Sequence, residues 1–158
     1  MDSFGTVYKA HRERLFNYLL RMTGDFDLSR DIMQESFTRC MERYGKFIEN
    51  VSLLYRIARN LVVDHMRKQG RYKYPGSIDE ADERSMEHHL MVREDYRSML
   101  RALQALPLEE RELLTLVATE FLSYGEIADI LSISEGNVKI RVHRARKHLR
   151  EIMKKGGE

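Results

Sequence analysis

SYGEIADILSISEGNVKIRVHRARKHLREI, the stretch from Ser123 to Ile152, decides how the chain is read, because a short helix meets a long basic one across a three-residue turn. Ser123 with Glu126 three residues on is a capping box, in which each side chain satisfies an orphan backbone N–H at a helix start. Ile127, Ala128, Ile130 and Leu131 give the short helix an apolar face. Ser132-Ile133-Ser134 makes the break, and Ser134 suits the N-cap of the next helix. There Val138, Val142, Ala145, Leu149 and Ile152 recur at spacings of three or four, so one side is buried. The other side carries Asn137, Lys139, Arg141, Arg144, Lys147 and Arg150. Residues 137–155 hold eight Lys or Arg against one acid, Glu151. That is the layout in which a helix-turn-helix offers its second helix to the DNA major groove. The plain alternative is a solvated charged face on an ordinary helical hairpin, since basic helices are common.

The rest of the chain bounds this reading. With 158 residues there is room for one domain or two small ones, and 42% hydrophobic residues suffice for helical cores. A charged fraction of 33%, with no apolar run near the ~18 residues a membrane helix needs, excludes membrane insertion. Lys and Arg (27) exceed Asp and Glu (25) by only two, so the distribution of charge is more informative than its sum. Arg56 to Lys73 holds six basic residues and one acid, Asp64, whereas Ile78 to Asp95 holds seven acids and two basics. The order basic, acidic, basic suits two nucleic-acid-facing modules joined by an acidic tether. The single cysteine, Cys40, has no internal disulfide partner and points to a reducing cytosol. The N-terminal residues show no secretory h-region, so a cytoplasmic location is expected.

Two prolines, little β-branched alternation and long 3.6-residue periodicity predict an all-α fold of six or seven helices. The first helix runs from an N-cap at Ser3 to Met22, with Phe4, Val7, Tyr8, Leu15, Leu19 and Met22 as its apolar stripe and Gly24 as its stop. The second runs from about Asp27 to Arg43, with Leu28, Ile32, Phe37, Cys40 and Tyr44 on one face. A short loop, Gly45 to Asn50, precedes a third helix from Val51 to Gln69 whose Leu54, Ile57, Ala58, Leu61, Val62 and His65 face inward. Residues 71 to about 88 read as a linker. Helix resumes near His89 and runs to Leu106, where Leu-Pro-Leu marks a boundary. Glu109 to Glu120 forms the next helix, with Leu113, Leu114, Leu116 and Val117 packed on the terminal pair.

Three groups of residues in this order and spacing carry a resemblance. The first is Gly24-Asp25-Phe26-Asp27-Leu28-Ser29-Arg30-Asp31-Ile32-Met33-Gln34-Glu35-Ser36-Phe37. The second is Leu54-Tyr55-Arg56-Ile57-Ala58-Arg59-Asn60, continuing to Asp64-His65-Met66-Arg67-Lys68. The third comprises Leu106-Pro107, Tyr124-Gly125-Glu126-Ile127-Ala128 and Arg144-Ala145-Arg146. Together they resemble the sigma-70 family, and within it the small two-domain extracytoplasmic-function (ECF) sigma factors, over nearly the whole chain. The resemblance implies two small helical domains joined by an acidic linker: residues 1–70 (region 2), 71–90 (linker) and 91–158 (region 4).

It also implies partners and sites. In the family, the helix bearing an Asp-x-x-Gln-Glu pattern docks on the clamp helices of the RNA polymerase beta-prime subunit. Here the pattern falls on Asp31, Gln34 and Glu35, one helix face at i, i+3 and i+4. Region 4 implies a second contact with the polymerase, at the beta flap. The third helix is the surface that opens the minus-ten element, onto which Arg56, Asn60, Arg67 and Lys68 map. Asn reads a base edge, and Arg and Lys neutralise phosphate. Phe47 to Val51, including Asn50, occupies the loop position that holds a flipped base, which needs a pocket or stacking partner. Two departures bear on minus-ten preference: the loop is a few residues shorter than usual, and Leu53 stands where the family has tryptophan. The minus-35 contacts map onto Gly136, Asn137, Lys139, Ile140, Arg141, His143 and Arg144, with Lys147 further along the same face. Asn137 replaces a common Thr, and Ile140 a common small polar residue. Ile140 either touches a thymine methyl or simply packs. Ser123 and Tyr124 suit backbone phosphate. An anti-sigma factor is implied as a further partner, and the acidic linker is implied to thread the polymerase cleft.

The rival readings are three. Asp31 and Glu35 could form a metal or acid/base pair on one helix, but no nearby His, third carboxylate or Gly-rich phosphate loop completes a site, and a nuclease using Asp31, Glu35, Asp64 or His65 is the more distant reading. No metal, cofactor or catalytic residue is therefore expected. A free-standing helix-turn-helix regulator with an N-terminal dimerisation or sensing domain is the main alternative. His88-His89 is adjacent rather than i, i+4 and so a poor metal pair, Cys40 reads as a core residue, and the nine methionines read as adaptable filler.

Overall fold

Side-chain chemistry sets off helix α1 (Phe4–Thr23) at both ends. The Ser3 hydroxyl accepts from the Thr6 N–H at the start, and Gly24, in the left-handed region at φ 70°, donates its N–H to the Leu20 carbonyl at the end. Asp25 then caps α2 (Phe26–Tyr44) by accepting from the Leu28 N–H at 3.1 Å. The remaining helices are α3 (Ser52–Gln69), α4 (Glu94–Ala105), α5 (Leu108–Val117), α6 (Tyr124–Leu131) and α7 (Glu135–Gly156). The architecture comes from a computed structural model that describes residues 2–48, 50–69, 94–119 and 121–156. The expected linker at 71–90, the histidines His88 and His89, and the first residues of the helix expected from His89 lie outside the described residues.

The all-α expectation holds, with one small exception. Phe47–Ile48 (β2) pairs antiparallel with Asp2–Ser3 (β1), Ser3 opposite Phe47, where the sequence predicts only a loop. The extended residues before α1 run beside that loop, and the Phe4 N–H donates to the Lys46 carbonyl at 2.6 Å. A two-residue ladder is too short to show alternation in a sequence.

Helices α1, α2 and α3 pack as one bundle, and α4, α5 and α6 gather around α7. The two are not separate in space. One continuous core runs from Leu15, Tyr18, Leu19, Met22, Leu54, Tyr55, Ala58 and Met66 into Leu113, Leu116, Ile127, Val138 and Val142. Helix α1 lies against α4 and α5, and α3 lies against α6. Each fully buried leucine of this kind contributes roughly 1.5–3 kcal/mol, so the junction is a cohesive part of the fold. The predicted inward faces largely hold, with two differences: Tyr55 and Met66 are fully buried on α3, whereas Ile57, Leu61 and His65 are only half-buried. Cys40 is fully buried, as expected of a core residue, and burial pushes its thiol pKa up.

Candidate nucleic-acid interface

The Ser123–Ile152 stretch folds as its residues predict. Ser123 and Glu126 form the reciprocal capping box, with the Ser123 hydroxyl accepting from the Glu126 N–H and Glu126 Oε1 accepting from the Ser123 N–H. Ser132 closes α6 in the left-handed region at φ 58°, unusual for a residue with a side chain. The Ser134 hydroxyl then accepts from the Asn137 N–H at 3.1 Å. Val138, Val142 and Ala145 are buried, while Gly136, Asn137, Lys139, Ile140, Arg141, His143, Arg144 and Lys147 are all exposed along one outer surface. Ile140 is 52% exposed, so its side chain lies outside the buried core. Arg141 and Arg144 border a cleft whose other wall includes Glu109 and Glu110. His148 braces α7 to α5 through Nδ1, 2.7 Å from Glu110 Oε2. Ser123 is exposed but its hydroxyl is engaged in the cap, and Tyr124 is half-buried against the core.

Helix α3 presents a second basic face. Arg56, Asn60, Arg67 and Lys68 are exposed on the side opposite Leu54, Tyr55, Ala58 and Val62. Asn60 Oδ1 accepts from Arg59 Nη1 at 3.1 Å, which leaves the amide NH2 as its outward donor. Lys68 Nζ lies 3.0 Å from Asp64 Oδ2, a solvated pair that water and salt readily exchange for phosphate. Arg59 bridges inward as well, its Nε forming an ion pair with buried Glu112 of α5. At the loop before α3, Asn50 Oδ1 accepts from the Ser52 N–H at 3.0 Å, an Asx turn that starts the helix. Phe47 contributes its backbone to the ladder.

On α2, Asp31, Gln34 and Glu35 are exposed together, with Glu35 Oε1 2.7 Å from Arg39 Nε. Gln34 also edges a shallow, largely apolar hollow of about 650 Å³ lined by Phe4, Tyr8, Phe37 and Met41. Among the described residues, no group of three or more His, Cys, Asp or Glu lies together as a metal site would. No helix among them is long and apolar enough to cross a membrane.

Residues 7–72 match the model of sigma-70 region 2, and residues 96–149 match that of sigma-70 region 4. The chain belongs to the sigma-70 family. Its relatives place it in the ECF group. It is 29% identical to the ECF RNA polymerase sigma factor SigM of Bacillus subtilis, over 95% of this chain and 94% of that one. It is 29% identical to SigW of the same organism, over 97% and 90%. Against SigE of Mycolicibacterium smegmatis, also 29% identical, it aligns over 98% of its own length and 63% of the relative's. Its fold resembles the sigma factor RpoE of Bartonella quintana, solved in complex with the anti-sigma factor NepR, with a TM-score of 0.73, 23% identity and 96% of each chain covered.

In this sigma factor the region 2 match ends just past α3 and the region 4 match begins in α4, so each basic face belongs to a different matched region. The sequence reading missed Arg59, Arg111 and Glu112, the polar residues that join them. Their signal is faint: an Arg amid Glu109, Glu110 and Glu112 reads as part of a solvated helix face.

Proposed function

We propose that this chain is an ECF-type initiation factor that binds core RNA polymerase and directs it to promoters with no catalytic chemistry of its own. Residues 1–70 dock and melt, residues 91–158 read the minus-35 element, and the acidic 71–90 segment tethers them. Asp31, Gln34 and Glu35 offer two carboxylates and an amide to an arginine-bearing helix of the polymerase clamp, and region 4 meets the beta flap. Arg56, Asn60, Arg67 and Lys68, with Phe47 and Asn50 at the neighbouring loop, hold the minus-ten strand. Asn137, Lys139, Ile140, Arg141, His143, Arg144 and Lys147, beside Gly136, enter the major groove, with Ser123 and Tyr124 at the adjacent phosphates. Such a factor works in the cytoplasm. The observation that carries the reading is the pair of outward basic faces, on α3 and α7, each within its own matched sigma-70 region.

The energetic logic is that of linked weak modules. Each face alone supplies only part of a specific affinity, and fixing both on the polymerase makes the second contact intramolecular. Phosphate contacts by α7 make binding salt-dependent, each lost Lys or Arg contact lowering the slope of log K against log salt by about 0.9. Holding by an anti-sigma factor belongs to the same proposal, supported by the complex in which the structural neighbour was solved. Gln34→Ala and Glu35→Arg should abolish pull-down of core polymerase while leaving the circular-dichroism melt unchanged. Loss of self-association with core binding intact would instead identify a helix-turn-helix regulator with an N-terminal dimer interface.

A further inference from the structure

The loop that joins α2 to α3 is fixed at both ends. At its start Gly45 takes φ 76° and ψ −154°, a region open essentially to glycine, while its N–H donates to the Met41 carbonyl at 2.8 Å. At its end the Asn50 side chain holds the Ser52 N–H, and the Asn50 carbonyl accepts from the Leu53 N–H at 3.1 Å. Between these points the backbone runs antiparallel to the residues before α1, with Asp2 opposite Ile48 and Ser3 opposite Phe47. The Phe4 N–H donates to the Lys46 carbonyl. Antiparallel pairs alternate, so Ser3 and Phe47 form the non-hydrogen-bonded pair, in which two strands come closest, and Asp2 and Ile48 form the next hydrogen-bonded one.

A ladder of two pairs is too short to stand alone. This one is held because one of its strands continues into α1. Ser3 is the N-cap of that helix, its hydroxyl accepting from the Thr6 N–H at 3.3 Å and lying 2.8 Å from Thr6 Oγ1. Phe4 is the first residue of the helix, and its N–H is one of the four donors that a helix cannot satisfy internally. Here a loop carbonyl satisfies it. The Phe4 ring packs on the bundle: it stands edge-on to Phe37 of α2, centroids 5.9 Å apart, and stacks with Tyr8 of α1 at 6.5 Å. One residue therefore has its side chain between two helices and its N–H on the loop.

We propose that the residues before α1 position the loop that reads the minus-ten element, and that Phe4 is the positioning residue. This rests on the promoter function proposed above, in which the loop meets an unstacked base. A loop ordered before the strand arrives loses less conformational entropy on binding. Discrimination also needs the contacting groups held to within about 0.5 Å, which a loop tied only at its ends does not provide.

Phe4→Pro and Phe4→Ala separate the N–H from the ring. Both lose the ring, and only proline loses the donor. Proline suits the first position of a helix, and Ser3, at φ −68° and ψ 153°, already has the extended backbone that a following proline demands. Each full-length variant, combined with core polymerase, is put through a selection from promoters randomised across the minus-ten element. Relative to Phe4→Ala, Phe4→Pro should flatten the base preference at the position held by the loop by about five-fold, the worth of one backbone hydrogen bond. The two variants should bind core polymerase alike and prefer the same minus-35 bases, which a general loss of structure would not allow. In the free proteins the Ile48 amide should exchange its hydrogen about five-fold faster with proline than with alanine, a readout independent of DNA. Matching minus-ten preferences or matching Ile48 exchange in the two variants would overturn the positioning role and leave the sigma-factor function standing. A wild-type holoenzyme with no base preference anywhere in the minus-ten element would remove that function and this proposal with it.

Discussion

Arg111→Met isolates the largest polar commitment in the fold. The buried guanidinium donates five hydrogen bonds to oxygen: to the carbonyls of Met22, Leu103, Gln104 and Leu106 and to Gln104 Oε1. After substitution Met22 O keeps the Gln104 amide and Leu103 O keeps the Leu106 N–H. Gln104 O, Leu106 O and Gln104 Oε1 lose their donor. Each stranded acceptor costs about 1–3 kcal/mol, and methionine regains some apolar burial and spares the desolvation of a cation, so the net loss is about 3–5 kcal/mol. Against a typical domain stability of about 5–15 kcal/mol this is a large fraction. Urea unfolding followed by far-ultraviolet circular dichroism should show the midpoint falling by roughly 2 M, for a slope near 2 kcal/mol per M. Arg111→Lys keeps a charge but not the planar fork, and should recover only part of the loss. Because Gln104 shares the Met22 carbonyl, Gln104→Leu and Arg111→Met should be non-additive by about 0.5 kcal/mol or more. An Arg111→Met midpoint within about 0.3 M of wild type, the behaviour of a surface arginine, refutes the reasoning.

Other outcomes follow from single contacts. Ser123→Ala removes one half of the capping box and should cost about 1 kcal/mol in a thermal melt. Gly24→Ala forces a side chain into φ 70° and against Gln104, and should cost about 1–2 kcal/mol. Ile140→Ala should leave stability within about 0.5 kcal/mol while changing the preferred base at one minus-35 position in a selection from randomised promoters. The Tyr18 hydroxyl is buried with no hydrogen-bond partner among the described residues, and burial pushes its pKa above the ordinary value. The folded state therefore holds this proton where the unfolded chain releases it, so stability present below pH ~10 is lost as pH rises beyond it. Tyr18→Phe should be neutral or stabilising near pH 7 and should flatten that alkaline loss in a pH series of melts.

What could be read in advance follows from the range of each signal. Ser123 with Glu126, Ser3 before Phe4, and Gly24 after Met22 are local chemistry, and each marks its helix end where the fold has it. The buried side of α7 was equally legible, because Val138, Val142 and Ala145 repeat at the helical period. The outward basic face follows as its complement. Arg111 was not legible, since its bond to Met22 spans 89 residues and no periodicity encodes such a distance. Tyr55 lies outside the predicted inward stripe of α3 yet is fully buried, with Phe121 from the other half edge-on to its ring. Asn50 reads as a base contact in the resemblance, while a local Asx turn supplies its structural role. Residues that join the halves are invisible to readings taken one helix at a time.

The central claim is that promoter recognition belongs to the complex with polymerase rather than to the free chain. Gel-shift titration of a duplex promoter, with the start site fixed by run-off transcription, measures it directly with core polymerase present and absent. The account predicts weak, salt-sensitive binding by the free protein, and tight binding with a defined start site only when core enzyme is added. Equal promoter affinity with and without core polymerase would contradict it.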